Sequence, residues 1–498
     1  MSVFALRRVL FSSVLICAAL FAIAQPTPAN AELGVLSPVL ENGEPLSKND
    51  AHGRPVPVVT RVRSGALYAA LQREAGEGFT ATMLALDEAA QHAAGATALR
   101  PTWLYLSAED GGFARIGFWL DEDGTQRFVD EPFVDLVVDD DSVRTGDFEE
   151  IFAHELGHVF LRRLLPNLPD GYSRTPHASF AITDYPTAFD EGFGIHLQGL
   201  ARRLTRNDAL RELDLGLAAK PFLGFWLSNQ DRALRIAGMR SNAFAHAQIT
   251  MPGEGDALLR RDHSTLFDSA RLKNGQQMLS SEGVVATLFY RWLVAGAADH
   301  DAVVQRYSRL FAALARVHTR TLASATPVFL ELARAYVELY PDERERVFGL
   351  IVDTTYGATV DLGFARRSEH LAAIGRLGDQ KRFVGDLRDA RAALSDVRQR
   401  VSRSPDDLRA ALGHDIWLLT TATPPLAINL NTAELEQFAA LPGIDARAAM
   451  RALNNRVDAG AYRDLADFVA RNDLGKAQAQ RFAAMELAMR KAGAYSRR

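Results

Sequence analysis

The sequence predicts an α+β protein in which a small antiparallel sheet packs on one central helix, followed by a mostly helical region and a separate helical unit. Short runs of β-branched and aromatic residues, divided by Gly- and Asp-rich turns, occupy residues 100–140. Apolar residues then recur at helical spacing through most of 147–420. A Thr- and Pro-rich stretch at 421–427 interrupts that pattern and predicts a linker before the last unit, 428–498.

Composition and charge are those of an ordinary globular protein. Of the 498 residues, 48% are hydrophobic and 23% are charged. This length is sufficient for about two to four domains. The formal net charge of −5 at pH 7 argues against a general nucleic-acid-binding or membrane-surface-binding protein.

The N-terminal residues 1–31 have the pattern of a secretory signal peptide. Arg7 and Arg8 precede an apolar run, Val9–Ala24, and an Ala-Asn-Ala cleavage sequence follows. An uncleaved membrane anchor is the alternative, but the run is shorter than the ~20 residues that a membrane span requires. We therefore expect an exported protein, periplasmic or secreted, whose mature chain begins at Glu32 and has no stable membrane span.

Cysteine usage bears on the same prediction. The single cysteine, Cys17, lies inside the apolar run, so the mature chain would contain no disulfide. Ile16, which precedes it, is not the small residue that a lipoprotein signal requires. A cysteine-free exported chain rich in alanine and arginine is typical of a bacterial protein, and its stability must come from burial, from a metal, or from both.

Between the signal peptide and the sheet, the pattern predicts an extended arm and then helices. Residues 32–62 are rich in Pro and Gly and show little periodicity, which is typical of an arm or linker. Residues 64–94 have the apolar spacing of two helices. The charged stretch 382–411 is typical of a solvated helix face. The predicted strands are 103–106, 114–120 and 133–138, and helices are predicted at 284–295, 302–315 and 326–340.

His154, Glu155 and His158 form the motif H-E-x-x-H. Residues four apart on a helix lie on one face, so both imidazoles can reach one cation. The intervening carboxylate lies beside that cation, where it can accept a proton from a bound water. A chance match occurs in roughly one or two per cent of chains with this histidine content. The motif therefore predicts a zinc site on a helix.

The helix that carries this motif is predicted to begin near Asp147. Asp147 and Glu150 form a D-x-x-E start signal. Gly157 costs a helix about 1 kcal/mol relative to alanine, so we expect a strand or a substrate to approach the helix closely there. An apolar stripe behind the histidines consists of Phe148, Phe152, Leu156 and Val159.

A catalytic zinc site needs a third protein ligand besides two histidines. Enzymes with the motif H-E-x-x-H-x-x-G-x-x-H supply it six residues after the second histidine, but that position is Leu164 here. A glutamate on a later helix is the other option. Glu191 supplies one, 33 positions after His158 (191 − 158).

The segment Asp190–Gly194 resembles the second zinc-binding segment of the gluzincin metallopeptidases, where a glutamate precedes a glycine. The resemblance covers this segment and the H-E-x-x-H helix. It implies a zincin-like active-site helix within a metallopeptidase-like region, 63–420. It further implies that Glu191 is the third zinc ligand and that Asp190 orients a histidine. The wide spacing of the two segments implies a divergent member with an inserted loop.

Other residues compete for these roles. Glu282 lies in a second E-G-x-x-A sequence and is the alternative third ligand, or else a carboxylate at the start of a helix. His196 lies five residues after Glu191, off its helical face, and is expected to pack or to line the substrate site. A structural zinc site is a further alternative, but such sites usually have four Cys or His ligands.

The expected activity is hydrolysis of peptide bonds with one Zn²⁺ per chain. The zinc lowers the pKa of a bound water toward about 7, Glu155 accepts its proton, and a further donor stabilises the oxyanion. Tyr290, His196 and Tyr185 are the candidates for that donor, although a core or pocket-wall role is favoured for each. The predicted sheet can hold an extended peptide or protein substrate by strand addition.

The C-terminal unit carries a second motif. An N-x-N-T-A opening at 429–433 and an L-P-G-I sequence at 441–444 resemble the helix-hairpin-helix unit of bacterial competence DNA receptors. The resemblance implies a helix-hairpin-helix domain at 428–498. It also implies that backbone N–H groups at Gly443 and Gly475, with Lys476 beside the second, are directed at phosphates.

Charge weakens the prediction of DNA binding. Asp445 and Asp473 stand where the helix-hairpin-helix pattern prefers glycine, and their carboxylates repel phosphate. Residues 425–498 carry a net charge of only +3 (11 Lys and Arg against 8 Asp and Glu). A small packing or protein-interaction domain is therefore the alternative.

Two functions of different class are compatible with these patterns. The first is an exported zinc metallopeptidase with an accessory helix-hairpin-helix domain. The second is a periplasmic DNA- or protein-binding factor whose protease-like domain is a catalytically silent scaffold. Metal content separates the two, because only the first requires one zinc per chain.

Overall fold

Five strands from the N-terminal third of the chain close into a small barrel. Their order is β1–β6–β8–β7–β5, and an antiparallel pairing of β1 with β5 closes the ring. β7 and β8 form an antiparallel hairpin, whereas β1–β6, β6–β8 and β5–β7 are parallel pairs. The strands are β1 (Leu33–Pro38), β2 (Leu40–Glu41), β3 (Glu44–Pro45), β4 (Ser47–Asn49), β5 (Pro55–Arg61), β6 (Thr102–Leu106), β7 (Gly112–Glu122) and β8 (Thr125–Leu136).

The computed structural model describes residues 32–109, 111–173, 179, 181–219, 231–248, 267–297, 299–376, 378–423 and 425–491. The expected signal peptide, residues 1–31, lies outside the described residues. Within them, no helix is both long enough and apolar enough to cross a membrane.

Aromatic side chains fill the interior of the barrel. Phe118 is fully buried and makes edge-to-face contacts with Trp103 and Phe133, at ring-centroid distances of 5.5 Å in both pairs. In contrast, Val134 and Leu136 of β8 belong to the main core that the barrel shares with the helices. The barrel therefore has its own aromatic core inside and packs its outer face on the helical region.

The α+β class is confirmed, but two finer expectations are wrong. The sheet is mixed and closed, not antiparallel. Residues 32–62 are not an arm, because they supply β1 and β5 of the barrel. Prolines hide this strand signal, and they are tolerated at strand ends and edges. Pro38 ends β1 and Pro55 begins β5, and β5 is buried on both of its faces at the consecutive residues Val58 and Val59.

The mostly helical character of the described residues after the barrel is confirmed, and β9 (His246–Gln248) pairs antiparallel with β10 (Phe267–Leu272) among them. Helix α9 continues into a π-helical turn, Tyr290–Val294. The helices are α1 (Ala66–Glu77), α2 (Phe79–Ala93), α3 (Asp140–Thr145), α4 (Asp147–Leu164), α5 (Tyr185–Leu204), α6 (Asp208–Ala219), α7 (Asp231–Ser241), α8 (Gly275–Leu279), α9 (Glu282–Phe289), α10 (His300–His318), α11 (Val328–Leu339), α12 (Arg344–Thr354), α13 (Leu362–Arg376) and α14 (Gln380–Arg403).

The C-terminal unit has a hydrophobic core of its own, and this core begins at Ile416. The segment 421–427, expected to be a linker, lies mostly in the turn of a hairpin formed by β11 and β12. The unit packs on the helical region through hydrogen bonds: the Gln277 side-chain amide donates to the Thr432 carbonyl (3.0 Å) and to Glu434 Oε1 (2.6 Å). Its elements are β11 (Trp417–Leu419), β12 (Ala427–Asn429), α15 (Leu435–Ala439), α16 (Ala446–Ala459), α17 (Leu465–Arg471) and α18 (Lys476–Lys491).

Candidate metal centre

Helix α4 carries the H-E-x-x-H motif, and its apolar stripe is buried as predicted. It begins at Asp147 as predicted, but the N-cap is Gly146 in the left-handed region (φ 79°), which makes no side-chain capping bond. Glu150 instead forms a fully buried ion pair with Arg202 of α5. The acidic first turn still suits the positive end of the helix dipole. This buried pair ties α4 to α5, the helix that carries Glu191.

Helices α4 and α5 bring His154, His158 and Glu191 together. The Nε2 atoms of the two histidines lie 3.2 Å apart, and Glu191 Oε2 lies 3.5 Å from His154 Nε2 and 3.8 Å from His158 Nε2. Donor atoms bound tetrahedrally at about 2.1 Å from one ion lie roughly 3.4 Å apart. Among the described residues, these three side chains form the one group of His, Cys, Asp or Glu placed to hold a metal ion.

Asp190 lies on the far side of the His158 ring. Its Oδ1 is 2.7 Å from His158 Nδ1, where the carboxylate accepts the Nδ1–H and leaves Nε2 free to bind an ion. Burial alone lowers the pKa of His158, but the carboxylates of Asp190, Glu191 and Glu155 outweigh burial and raise the pKa to about 9. The pocket is thus strongly electronegative and favours a cation.

Two glycines allow the histidine-bearing helix to contact α5 closely. A Cβ atom at Gly157 would lie 2.7 Å from Leu197 Cδ1 and 3.3 Å from the Cα of Gly194. A Cβ atom at Gly194 would lie 2.8–3.0 Å from three atoms of the His154 ring. The close approach expected at Gly157 is therefore confirmed, but the neighbour is helix α5 and not a strand or a substrate.

Glu155 points toward the barrel. A Cβ atom at Gly112, the first residue of β7, would lie 2.7 Å from Glu155 Oε1, so the strand backbone passes directly beside the carboxylate. Glu155 is only 7% exposed. Sequence reasoning missed Gly112, because a glycine at a strand end carries no signal for contact with a residue more than 40 positions later (155 − 112).

A cleft of about 420 Å³ reaches this group at Glu191, whereas His154, His158 and Glu155 are not among the residues that line it. Glu191 and Asp190 line one side, and Ile116 of β7 lines another. The pairing of β7 with β5 involves Trp119 and Leu120, so the first half of β7, from Gly112 to Ile116, is paired with β8 alone in the described sheet. The cleft therefore runs beside a free strand edge. Its remaining lining comes from the end of α4, the loop 166–171 and the start of α5.

The three nominated oxyanion donors lie away from the lining of this cleft. His196 is fully buried and its Nε2 lies 2.7 Å from the Tyr307 hydroxyl, so it packs in the core; burial lowers its pKa to about 3. Tyr290 contacts the helix at Gly199, eight residues beyond Glu191. Burial raises the pKa of Tyr185 well above its usual value.

Glu282, the rival third ligand, is the first residue of α9 and is fully buried. Its carbonyl would lie 2.9 Å from a Cβ atom at Gly192. Glu282 thus supports helix α5 through backbone packing, and its carboxylate is not part of the His154, His158 and Glu191 group. The position at a helix start agrees with the alternative role expected for it.

The nominated DNA contacts lie at two turns of the C-terminal unit. Gly443 has a positive φ (74°) in the turn between α15 and α16, and a Cβ atom there would lie 2.7 Å from Gln478 Oε1. Gly475 precedes α18, which begins at Lys476. Gln478 of α18 therefore brings the two turns together. Asp445 is used locally, since its side chain caps α16.

Comparison with known proteins finds no match to this chain among protein-family models, curated proteins or solved structures. Its chemistry must therefore be inferred from the side chains themselves. Two imidazole nitrogens and one carboxylate oxygen are donors that suit a catalytic zinc, which keeps one position open for water.

Proposed function

We propose that this protein is a zinc-dependent peptidase in which His154, His158 and Glu191 hold the ion and Glu155 is the general base. The observation that carries the proposal is the mutual separation of the three donor atoms, 3.2 to 3.8 Å, with the Glu155 carboxylate directed beside them at the foot of β7. The resemblance of this pair of helices to the gluzincins supports the same reading.

Each residue of the site has a separate role in the proposed reaction. When bound, zinc polarises the scissile carbonyl and lowers the pKa of water at the site. The Glu155 carboxylate accepts a proton from the attacking water and delivers it to the leaving amine. Asp190 holds the Nδ1–H of His158, which fixes the ring and its tautomer.

The free edge of β7 supplies a place for an extended substrate. Its unpaired N–H and C=O groups between Gly112 and Ile116 can form a ladder with a peptide backbone, as in strand addition. This edge begins beside Glu155 and continues into the cleft lined by Glu191. A peptide bound along it would lie beside the general base at one end and beside Glu191 in the cleft, which suits hydrolysis of a peptide bond.

The decisive experiment compares Glu155→Gln with the parent protein loaded with zinc. We expect the variant to retain one zinc per chain and to lose peptide hydrolysis by at least about 100-fold, the lower end of general-base contributions. Glu345→Gln, at an exposed position on α12, is the matched control. Equal rates of hydrolysis by Glu155→Gln and the parent would show that Glu155 is not the base.

Export is part of the proposal and rests on residues 1–31. Expression of the full chain in a Gram-negative host, followed by N-terminal sequencing of the periplasmic fraction, tests it. We expect a mature N-terminus at Glu32. Recovery of the intact chain in the membrane fraction would instead support an uncleaved anchor.

A binding role for the C-terminal unit is the second candidate. The observation that favours it is the juxtaposition of the turns at Gly443 and Gly475 through Gln478. A DNA-binding factor would bind a duplex with an affinity that falls steeply as salt concentration rises. Such binding by a protein that holds no zinc and cleaves no peptide would favour this candidate over the peptidase.

A further inference from the structure

Arg162 lines the cleft, and its side chain has no hydrogen-bond or ionic partner among the described residues. Arg162 lines the cleft together with Asp190 and Glu191, and its Nη1 atom is buried with no hydrogen-bond acceptor. Within the part of the chain that the structure describes, Arg162 forms neither a hydrogen bond nor an ion pair. A buried N–H group without an acceptor destabilises the folded protein, and more strongly when the group is charged. A feature this costly calls for a role.

Neighbouring arginines show the usual arrangement. Arg163, the next residue, lies 3.5 Å from Asp87 and 3.2 Å from Glu131. Arg202 is paired with Glu150 in the buried junction of α4 and α5. Individual nitrogens of Arg163 and Arg202 also lack an acceptor, but both side chains are paired with a carboxylate. Arg162 differs because, in the described part of the chain, its guanidinium group is paired with no carboxylate.

The position of Arg162 relates it to the metal ligands. It lies four residues after His158 on α4, on the face that also carries His154, and one turn places it about 6 Å farther along the helix axis. This separation of backbone positions places Arg162 on the helical turn directly after the one that carries His158. A group bound by Arg162 would therefore belong to a substrate residue close to the scissile bond.

The acidic residues that line the cleft do not form an ion pair with Arg162. Asp190 is engaged by His158, and Glu191 faces the two histidines. Asp170 is exposed at the rim of the cleft and is not paired with Arg162. A guanidinium binds a carboxylate through two parallel N–H···O bonds, so a substrate carboxylate is the complement that the cleft lacks.

We infer that Arg162 determines specificity by binding a carboxylate of the peptide substrate near the scissile bond. This inference rests on the proposed peptidase function and names the substrate class of the same site. The carboxylate belongs either to an Asp or Glu side chain or to the C-terminus of the peptide. The wall around it is apolar, formed by Ile116, Leu161, Leu165 and Leu168.

The test uses the full mature chain loaded with zinc and capped peptides of one apolar sequence. Glutamate or glutamine is placed at each position in turn, and the glutamine peptides are made with an amidated or a free C-terminus. We expect the parent to prefer a carboxylate-bearing peptide in kcat/KM by roughly ten- to a hundred-fold, the factor for a charged hydrogen bond. A preference for the glutamate peptides would show that Arg162 binds a side-chain carboxylate. A preference for the peptides with a free C-terminus would show that it binds the terminal carboxylate.

Arg162→Gln should reduce that preference to about twofold or less, and Arg162→Lys should restore part of it. Arg388→Gln, at an exposed position on α14, is the control that should keep it. A parent without preference, or a preference that survives in Arg162→Gln, would overturn the inference. An equal loss on acidic and neutral peptides would also overturn it, since Arg162 would then act on the reacting carbonyl or on folding.

Binding separates this inference from the proposed function. The Glu155→Gln protein, loaded with zinc, is titrated with the same peptides by calorimetry, alone and combined with Arg162→Gln. A preference for carboxylate-bearing peptides in binding that disappears with Arg162→Gln supports the inference. It does so even if the parent protein hydrolyses none of the peptides, a result that would contradict only the proposed peptidase function. Binding without any such preference defeats the role of Arg162 whatever the hydrolysis shows.

Discussion

Asp190 Oδ1 lies 2.7 Å from Nδ1 of His158, while the next residue along α5, Glu191, directs its Oε2 toward Nε2 of the same ring. Adjacent residues on one helix thus contact both nitrogens of a single imidazole. One carboxylate fixes the tautomer, and the other shares the ion-binding position. This relationship requires the close crossing of α4 and α5, which the buried Glu150–Arg202 pair and the glycines at the crossing allow.

Loss of the Asp190 carboxylate should weaken zinc binding without abolishing it. In Asp190→Asn, the amide can present its oxygen to His158 but no longer carries the charge that favours the cation. We expect zinc affinity to fall by about 10- to 100-fold, the usual effect of removing a group that orients a histidine ligand. Competition with a fluorescent chelator measures it, and Asp208→Asn at the exposed start of α6 serves as control. An affinity equal to that of the parent would contradict the orienting role.

The third ligand can be identified by paired substitutions of two glutamates. Glu191→Gln removes an anionic donor 3.5 Å from His154 Nε2 and should lower zinc affinity by more than about 100-fold. Glu282→Gln should keep one zinc per chain, because its carboxylate is outside the group of donor atoms. Metal analysis after gel filtration measures both, with circular dichroism to confirm that each variant is folded. If Glu191→Gln retained zinc and Glu282→Gln lost it, Glu282 and not Glu191 would be the third ligand.

The close contact between Gly194 and the His154 ring predicts a metal-site defect from a single methyl group. In Gly194→Ala, the new Cβ atom would lie 2.8 Å from a ring carbon of His154, so the imidazole or helix α5 must move. We expect weaker zinc binding and a loss of stability of about 1–3 kcal/mol from overpacking. Gly385→Ala is a matched control, because that glycine lies within α14 with no atom near its Cβ position. It should stabilise that helix slightly, by up to about 1 kcal/mol.

The local half of the site could be predicted from sequence, because its geometry is set by helical periodicity. Residues 154 and 158 must share a helix face, and the glutamate-glycine pair at 191–192 resembles a known ligand segment. The buried stripe of α4 follows from the same period. In each case the signal lies within a few residues of the side chain concerned.

The rest of the site depends on contacts between distant segments, which leave no periodic signal. Gly112 reaches Glu155 only because the barrel closes, and the closure depends on the proline-rich strand β5. The free guanidinium of Arg162 is recognisable only once the carboxylates around it are known to have other partners. Conversely, proximity to Glu191 in the sequence makes His196 a candidate site residue, but the structure buries it against Tyr307.

Asp415, at the junction of the C-terminal unit with α8, should make the protein more stable at acidic pH than at neutral pH. Its Oδ1 accepts hydrogen bonds from Gln276 and Asn429 (2.7 Å each). Burial raises the pKa of Asp415 from 3.8 to about 6, and these donors only partly offset the effect. Because the folded-state pKa is the higher one, the stabilisation is fully present below pH 3.8 and is lost as pH rises through about 6.

Asp415→Asn removes this titration, so the parent should gain stability relative to the variant as pH falls from 7 to 4, by up to about 3 kcal/mol. Thermal unfolding of both proteins in a metal chelator across this range measures the difference. His196 acts in the opposite direction, because its pKa of about 3 makes the folded state lose stability as pH falls below 6.5. That contribution is present in both proteins and cancels in the comparison. A parent-minus-variant difference that stays constant from pH 7 to 4 would mean that Asp415 does not titrate in this range.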